Sequence, residues 1–228
     1  MKAKEDTRIQ IKICGLTRVE EARECASLGV DAIGCVFYPK SPRHLTDDQA
    51  RKICRALPEH VRTVGVFVNE PFSRIMQRVE YCRLQAVQLH GQESPELVQR
   101  LLQENLLVIK VLFAAGKPSM AAISEYQASA YLVECGRGKL PGGNALVWNW
   151  GDAKSLGEKH TLILAGGLDP ENVCQAVAAS TPHAVDVSSG VESAPGRKDL
   201  AKVKAFVNAV AQCAINTGND PQTFQRIF

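Results

Sequence analysis

Eight short apolar runs recur along the chain at similar intervals: Ile9–Cys14, Asp31–Phe37, Thr63–Val68, Ala86–His90, Leu106–Leu112, Ala130–Glu134, Thr161–Gly166 and Ala184–Ser189. Each has strand length and is followed by a stretch patterned as a helix. Several helix starts carry their own signals. Thr17 stands three residues before Glu20, and Thr46 three before Gln49, the spacing of a reciprocal capping box. Ser94-Pro95 and Asp169-Pro170 each place an N-cap residue ahead of a proline suited to the first turn. Eight strand-then-helix units in 228 residues predict an α/β fold, one closed (β/α)8 TIM barrel filling residues 1–228 as a single domain. The polar segment Ala214–Phe228 is expected to follow the last helix as a loosely attached tail.

Parallel strands covered by helices are apolar on both faces, so polar residues inside them carry information. In the first run Ile9, Ile11 and Ile13 share a face, which leaves Gln10, Lys12 and Cys14 on the other. With the isoleucines against the helices, Lys12 and Cys14 point into the barrel. The same alternation aims Gln88, His90, Lys110, Glu134 and Asp186 inward. Ionisable groups in an interior normally filled by branched side chains must converge on one site or meet a large burial cost. For Lys110, an ion pair inside the barrel and a catalytic role are both open.

Glycines just past a strand let backbone N–H groups approach an anion without a Cβ in the way. The seventh run ends in Ala165-Gly166-Gly167-Leu168-Asp169-Pro170 and the eighth in Asp186-Val187-Ser188-Ser189-Gly190-Val191-Glu192. Loops in these two places commonly bind phosphate in barrels of this kind, so Gly166, Gly167, Ser188, Ser189 and Gly190 are the candidate phosphate site.

The formal charge of +3 is small and the Lys and Arg residues are scattered, which argues against a nucleic-acid partner. No run reaches membrane-spanning length, and Met1–Gln10 is too polar for a signal peptide. A soluble cytoplasmic protein is expected, with no membrane partner. The eight cysteines form no CxxC pair and no Cys/His cluster with zinc spacing, so no metal is expected. Cys14 apart, they read as reduced, small core residues.

With Lys12-Ile13-Cys14-Gly15-Leu16-Thr17 opening the barrel, the chain resembles the phosphoribosylanthranilate isomerases of tryptophan biosynthesis. Further segments in family order are Phe37–Arg43, Gly65–Asn69, Val87–Gly91, Ala165–Asn172 and Val185–Glu192 with Pro195-Gly196. The resemblance implies an acid/base Amadori rearrangement of a phosphorylated sugar amine, without metal or other cofactor. It implies Cys14 as general base, Arg43 as the donor to an anthranilate carboxylate, and Asp186, Gln88 and His90 as residues lining the site. Monomer and homodimer are both compatible with it.

The chain departs from the family pattern at the acid. An aspartate is usual at the end of the sixth strand, and here stands Glu134, the candidate general acid. The following loop keeps Gly142-Gly143 but continues as Asn144-Ala145 and then Trp148-Asn149-Trp150, and Cys35 replaces a residue that is usually aromatic. A compensated isomerase fits these changes. So do an isomerase of another aminoaldose phosphate and a barrel that binds a phosphorylated ligand without catalysis. Cys14 argues against the paired aspartates of the histidine-pathway enzymes.

Overall fold

The computed structural model describes residues 8–138, 142–216 and 227–228. Strands β1 (Gln10–Cys14), β2 (Ala32–Val36), β3 (Arg62–Phe67), β4 (Ala86–Leu89), β5 (Leu107–Phe113), β6 (Ala130–Glu134), β7 (Leu162–Leu164) and β8 (Ala184–Val187) pair in parallel. The barrel closes where β1 meets β8, with Lys12 opposite Asp186. A two-stranded hairpin, β9 (Glu192–Ala194) and β10 (Arg197–Lys198), follows β8. This is the expected (β/α)8 barrel.

The helices are α1 (Val19–Ser27), α2 (Asp47–Ala56), α3 (Phe72–Cys82), α4 (Pro95–Gln103), α5 (Lys154–Gly157), α6 (Val173–Ser180) and α7 (Leu200–Asn216). The expectation of a helix after every strand fails twice. After β5 the chain makes only a 3-10 turn, Met120–Glu125, and after β6 a 3-10 turn, Trp150–Ala153, leads into the single turn of α5. Gly116 and Pro118 keep the first part of the β5–β6 connection out of a helix, which leaves only a short stretch beyond Ser119 for a turn before β6. Thr46 and Gln49 form the expected capping box on α2, and Ser94 caps α4 ahead of Pro95. Thr17 does not cap α1. Its hydroxyl donates instead to the Gly196 carbonyl at 2.6 Å, and Arg18 takes the N-cap position. Asp169 caps a preceding turn, accepting the Glu171 and Asn172 N–H groups, and α6 begins only at Val173.

Alternation along the strands sorts side chains into two layers. Ile9, Ile11 and Ile13 pack outward with the helices, while Ala32, Val64, Ala86, Ile109, Val111, Ala130, Leu132 and Ile163 fill the barrel. That assignment corrects the reading of Lys110. It lies between the inward Ile109 and Val111, so its side chain leaves the barrel on the helix side. There its Nζ donates to Glu93 Oε2 at 2.6 Å and to the Gly91 carbonyl at 2.8 Å, all fully buried. Cys35 likewise faces the helix layer, beside Cys54 and Cys82, and is not part of the interior. Cys174 and Cys213, expected as thiols, are joined in a disulfide between α6 and α7, whose Cα atoms stand 5.1 Å apart there. The other six cysteines are free.

The expected tail starts inside α7, which runs to Asn216; residues 217–226 lie outside the described residues. Ile227 and Phe228 are buried among the interior residues at the N-terminal end of the barrel. Their N–H groups donate to Gln10 Oε1 at 2.8 and 3.3 Å. Among the described residues no helix is long and apolar enough to cross a membrane.

Candidate active site

A cleft open at its mouth sits at the C-terminal ends of the strands. Cys14, Arg43, His90, Glu134 and Asp186 line it, and so do Gly166, Gly167, Ser188 and Ser189. Two expected members stand elsewhere. Gln88 is fully buried beneath His90 and does not reach the cavity. Gly190 packs on loop seven instead: a Cβ there would lie 1.9 Å from the Leu168 carbonyl oxygen.

Cys14 ends β1, three strands from Glu134 at the end of β6. Gly34 on β2 makes room for the thiol, since a Cβ there would come within 2.7 Å of Cys14 Sγ. Burial pushes the thiol pKa up, with Lys12 and Lys198 pulling it down and Asp186 adding to the rise. Lys12 is not a free cation beside it. Its Nζ donates to Asp186 Oδ1 at 2.8 Å, and both groups are buried. Burial lowers the Lys12 pKa, but Asp186 and Cys14 outweigh that, and the net direction is upward.

On the opposite wall a chain of hydrogen bonds holds the carboxylate. Gln88 Nε2 donates to His90 Nδ1 at 2.9 Å, which places the ring proton on Nε2, directed at Glu134 Oε1 3.0 Å away. Glu134 thereby keeps Oε2 for another partner. The Gly142-Gly143 pair lets the loop after β6 close over these groups. A Cβ at Gly142 would lie 2.7 Å from His90 Nε2, and one at Gly143, whose φ is +71°, 2.6 Å from Arg43 Nη1. Trp148 and Trp150 fasten the same loop, donating through their indole N–H groups to the Ala165 and Gly166 carbonyls at 2.9 and 3.1 Å.

Arg43 is held from behind. Its Nε and Nη2 donate to the two oxygens of Glu192 at 2.8 and 2.7 Å, a bidentate buried pair. Its stem lies over Gly15, where a Cβ would be 2.3 Å from Arg43 Cδ. Glu192 and Lys198, both on the hairpin after β8, were not singled out in the sequence. The signal was faint: a lone glutamate after a glycine loop, and a lysine among many. Glu93 was missed for the same reason. The segments after β7 and β8 add Gly166, Gly167, Ser188 and Ser189 to the cavity lining.

A sequence profile of the N-(5'phosphoribosyl)anthranilate (PRA) isomerase family matches residues 11–209. An N-(5'-phosphoribosyl)anthranilate isomerase of Desulfatibacillum aliphaticivorans is 52% identical over 208 residues, covering 91% of this chain and 95% of its own. The crystal structure of phosphoribosyl anthranilate isomerase from Thermotoga maritima superposes with a TM-score of 0.82 at 39% identity, covering 90% of this chain and 99% of that one. Another solved structure, of an isomerase in complex with reduced 1-(o-carboxyphenylamino)-1-deoxyribulose 5-phosphate, gives 0.79 at 38% identity over 90% of this chain and 99% of its own. On this evidence the chain belongs to the N-(5'-phosphoribosyl)anthranilate isomerase family.

Proposed function

We propose that this chain isomerises N-(5'-phosphoribosyl)anthranilate to 1-(2-carboxyphenylamino)-1-deoxyribulose 5-phosphate, a step of tryptophan biosynthesis. The observation that carries the reading is the placement of Cys14 and Glu134 on separate strands of one cavity, which Arg43 and the glycine-bearing loops after β7 and β8 also line. Glu134 protonates the furanose ring oxygen, and the C1–O bond opens to a Schiff base. The Cys14 thiolate takes the proton from C2 to give the enol-amine, which becomes the ketone as its 2-hydroxyl gives up a proton and C1 takes one. The proton left on Cys14 passes through solvent to Glu134 and restores both groups. Atoms balance without an added reagent, because the reaction only relocates hydrogen. The Arg43 guanidinium binds the aromatic carboxylate, Asp186 orients the sugar, and Gly166, Gly167, Ser188 and Ser189 cradle the phosphate.

The same reading places the enzyme in the cytoplasm. Its support is the six free cysteines, which suit a reducing compartment; the Cys174–Cys213 bond runs against that trend.

A coupled assay with freshly generated phosphoribosylanthranilate tests the reading. Wild type should turn over, and Cys14→Ser should lose roughly a thousandfold or more in kcat while still binding a product analogue. Full activity in Cys14→Ser removes the thiol from the mechanism.

A further inference from the structure

The β9–β10 hairpin does not line the cavity, yet it grips two of the residues that do. Glu192 takes Arg43 by two nitrogens, and its Oε1 also accepts Lys198 Nζ at 2.9 Å. Lys198 Nζ donates to the Ser188 carbonyl at 3.0 Å, and the Ser188 hydroxyl donates to the Cys14 carbonyl at 3.0 Å. Thr17, in the loop after Cys14, ties back to Gly196 at the hairpin turn. Lys198 itself is buried, so this cation is held where solvent screens it little.

The charges around Cys14 do not cancel. Lys12 from β1 faces Asp186 from β8 in a one-to-one pair. Arg43 from the loop after β2 and Lys198 from β10 share a single carboxylate, Glu192 from β9. Among these five groups three cations meet two carboxylates. Glu21, which accepts the Lys198 backbone N–H at 3.2 Å, is itself paired with Arg18 and Arg197, so the surplus positive charge stays on the hairpin side. A thiolate at Cys14 or a bound carboxylate at Arg43 would neutralise it.

We propose that Glu192 and Lys198 are positioning residues for the isomerisation, Lys198 stabilising the Cys14 thiolate because it shares its one carboxylate with Arg43, and Glu192 turning Arg43 so that Nη1 meets the cavity. The proposal rests on the isomerase reading for its kinetic half only. Burial and the neighbouring Arg43 lower the Lys198 pKa, Glu192 and Cys14 raise it, and the net direction is downward.

The test uses Lys198→Gln, which keeps an N–H donor without charge, Lys198→Arg and Glu192→Gln, each checked for native circular dichroism. Iodoacetamide alkylation of Cys14 is followed at pH 8 without substrate and located by peptide mass mapping. Lys198→Gln should slow it about tenfold, the equivalent of about one unit in thiol pKa, and Lys198→Arg should restore it to within about twofold. Glu192→Gln removes an anion and should speed it about threefold or more, a result of opposite sign that stands even if Lys198→Gln does not fold. In turnover, Lys198→Gln should lower kcat with little change in KM, whereas Glu192→Gln should raise KM about tenfold. Wild-type alkylation rates in the folded variants overturn the charge role, and an unchanged KM in Glu192→Gln overturns the orienting role. Alkylation involves no substrate, so a wild-type protein that fails to turn over sinks the isomerase reading while leaving the charge role to be judged separately.

Discussion

Glu134 has one methylene more than the aspartate usual at this position, a displacement of more than about 1 Å. The hydrogen bond from His90 Nε2 shows how the longer side chain is controlled: Oε1 is pinned to the imidazole, and the residue still lines the cavity. Gln88 fixes the imidazole in the donor tautomer that this arrangement needs. Its role is thus beneath the site, which alternation alone did not distinguish from lining it. Removing the proton of Glu134 while keeping its shape, in Glu134→Gln, should lower kcat by about a hundredfold or more. Glu134→Asp should keep between about a tenth and a hundredth of wild-type kcat, because its carboxyl falls short of His90. Steady-state kinetics measures both, and a fully active Glu134→Gln would place the acid elsewhere.

Among the elements, β5 shows how one strand position changes the meaning of a charged residue. Lys110 faces the helix layer and closes an ion pair with Glu93, whose other oxygen accepts the Asn69 and Gly91 N–H groups. The pair therefore ties the loops after β3 and β4 to β5. Burial lowers the Lys110 pKa, and Glu93 opposes that. Glu93→Gln leaves a buried cation without its counter-charge, which should cost about 3–5 kcal/mol in urea unfolding at pH 7. The lysine's folded-state pKa then falls further below its unfolded value. The deficit is accordingly full while Glu93 is ionised and Lys110 still holds its proton, and should shrink as pH rises through that lowered pKa and Lys110 loses it. A deficit that stays constant between pH 7 and pH 9.5 would show that Lys110 is not its source.

Across the whole molecule the two ends of the barrel have separate duties. Chemistry gathers beyond the C-terminal ends of the strands, while Ile227 and Phe228 fill the opposite end under Gln10. Deleting these two residues should cost about 2–4 kcal/mol of stability from lost apolar burial, read by denaturant unfolding, with kcat unchanged below the melting transition. A fall in kcat at full stability would mean the two ends communicate. The strand count, the barrel and the inward set Lys12, Cys14, His90, Glu134 and Asp186 were legible in the sequence, because period-two alternation and turn residues act over a few positions. The glycines after β7 and β8 were legible for the same local reason. The outward turn of Lys110, the Cys174–Cys213 bond and the Arg43–Glu192–Lys198 cluster were not. Their partners are 17, 39 and as many as 149 residues apart in the chain, and only closure of the barrel fixes such distances. Local pattern therefore determined which residues could form the site; burial and charge pairing across the closed barrel decided how each is held.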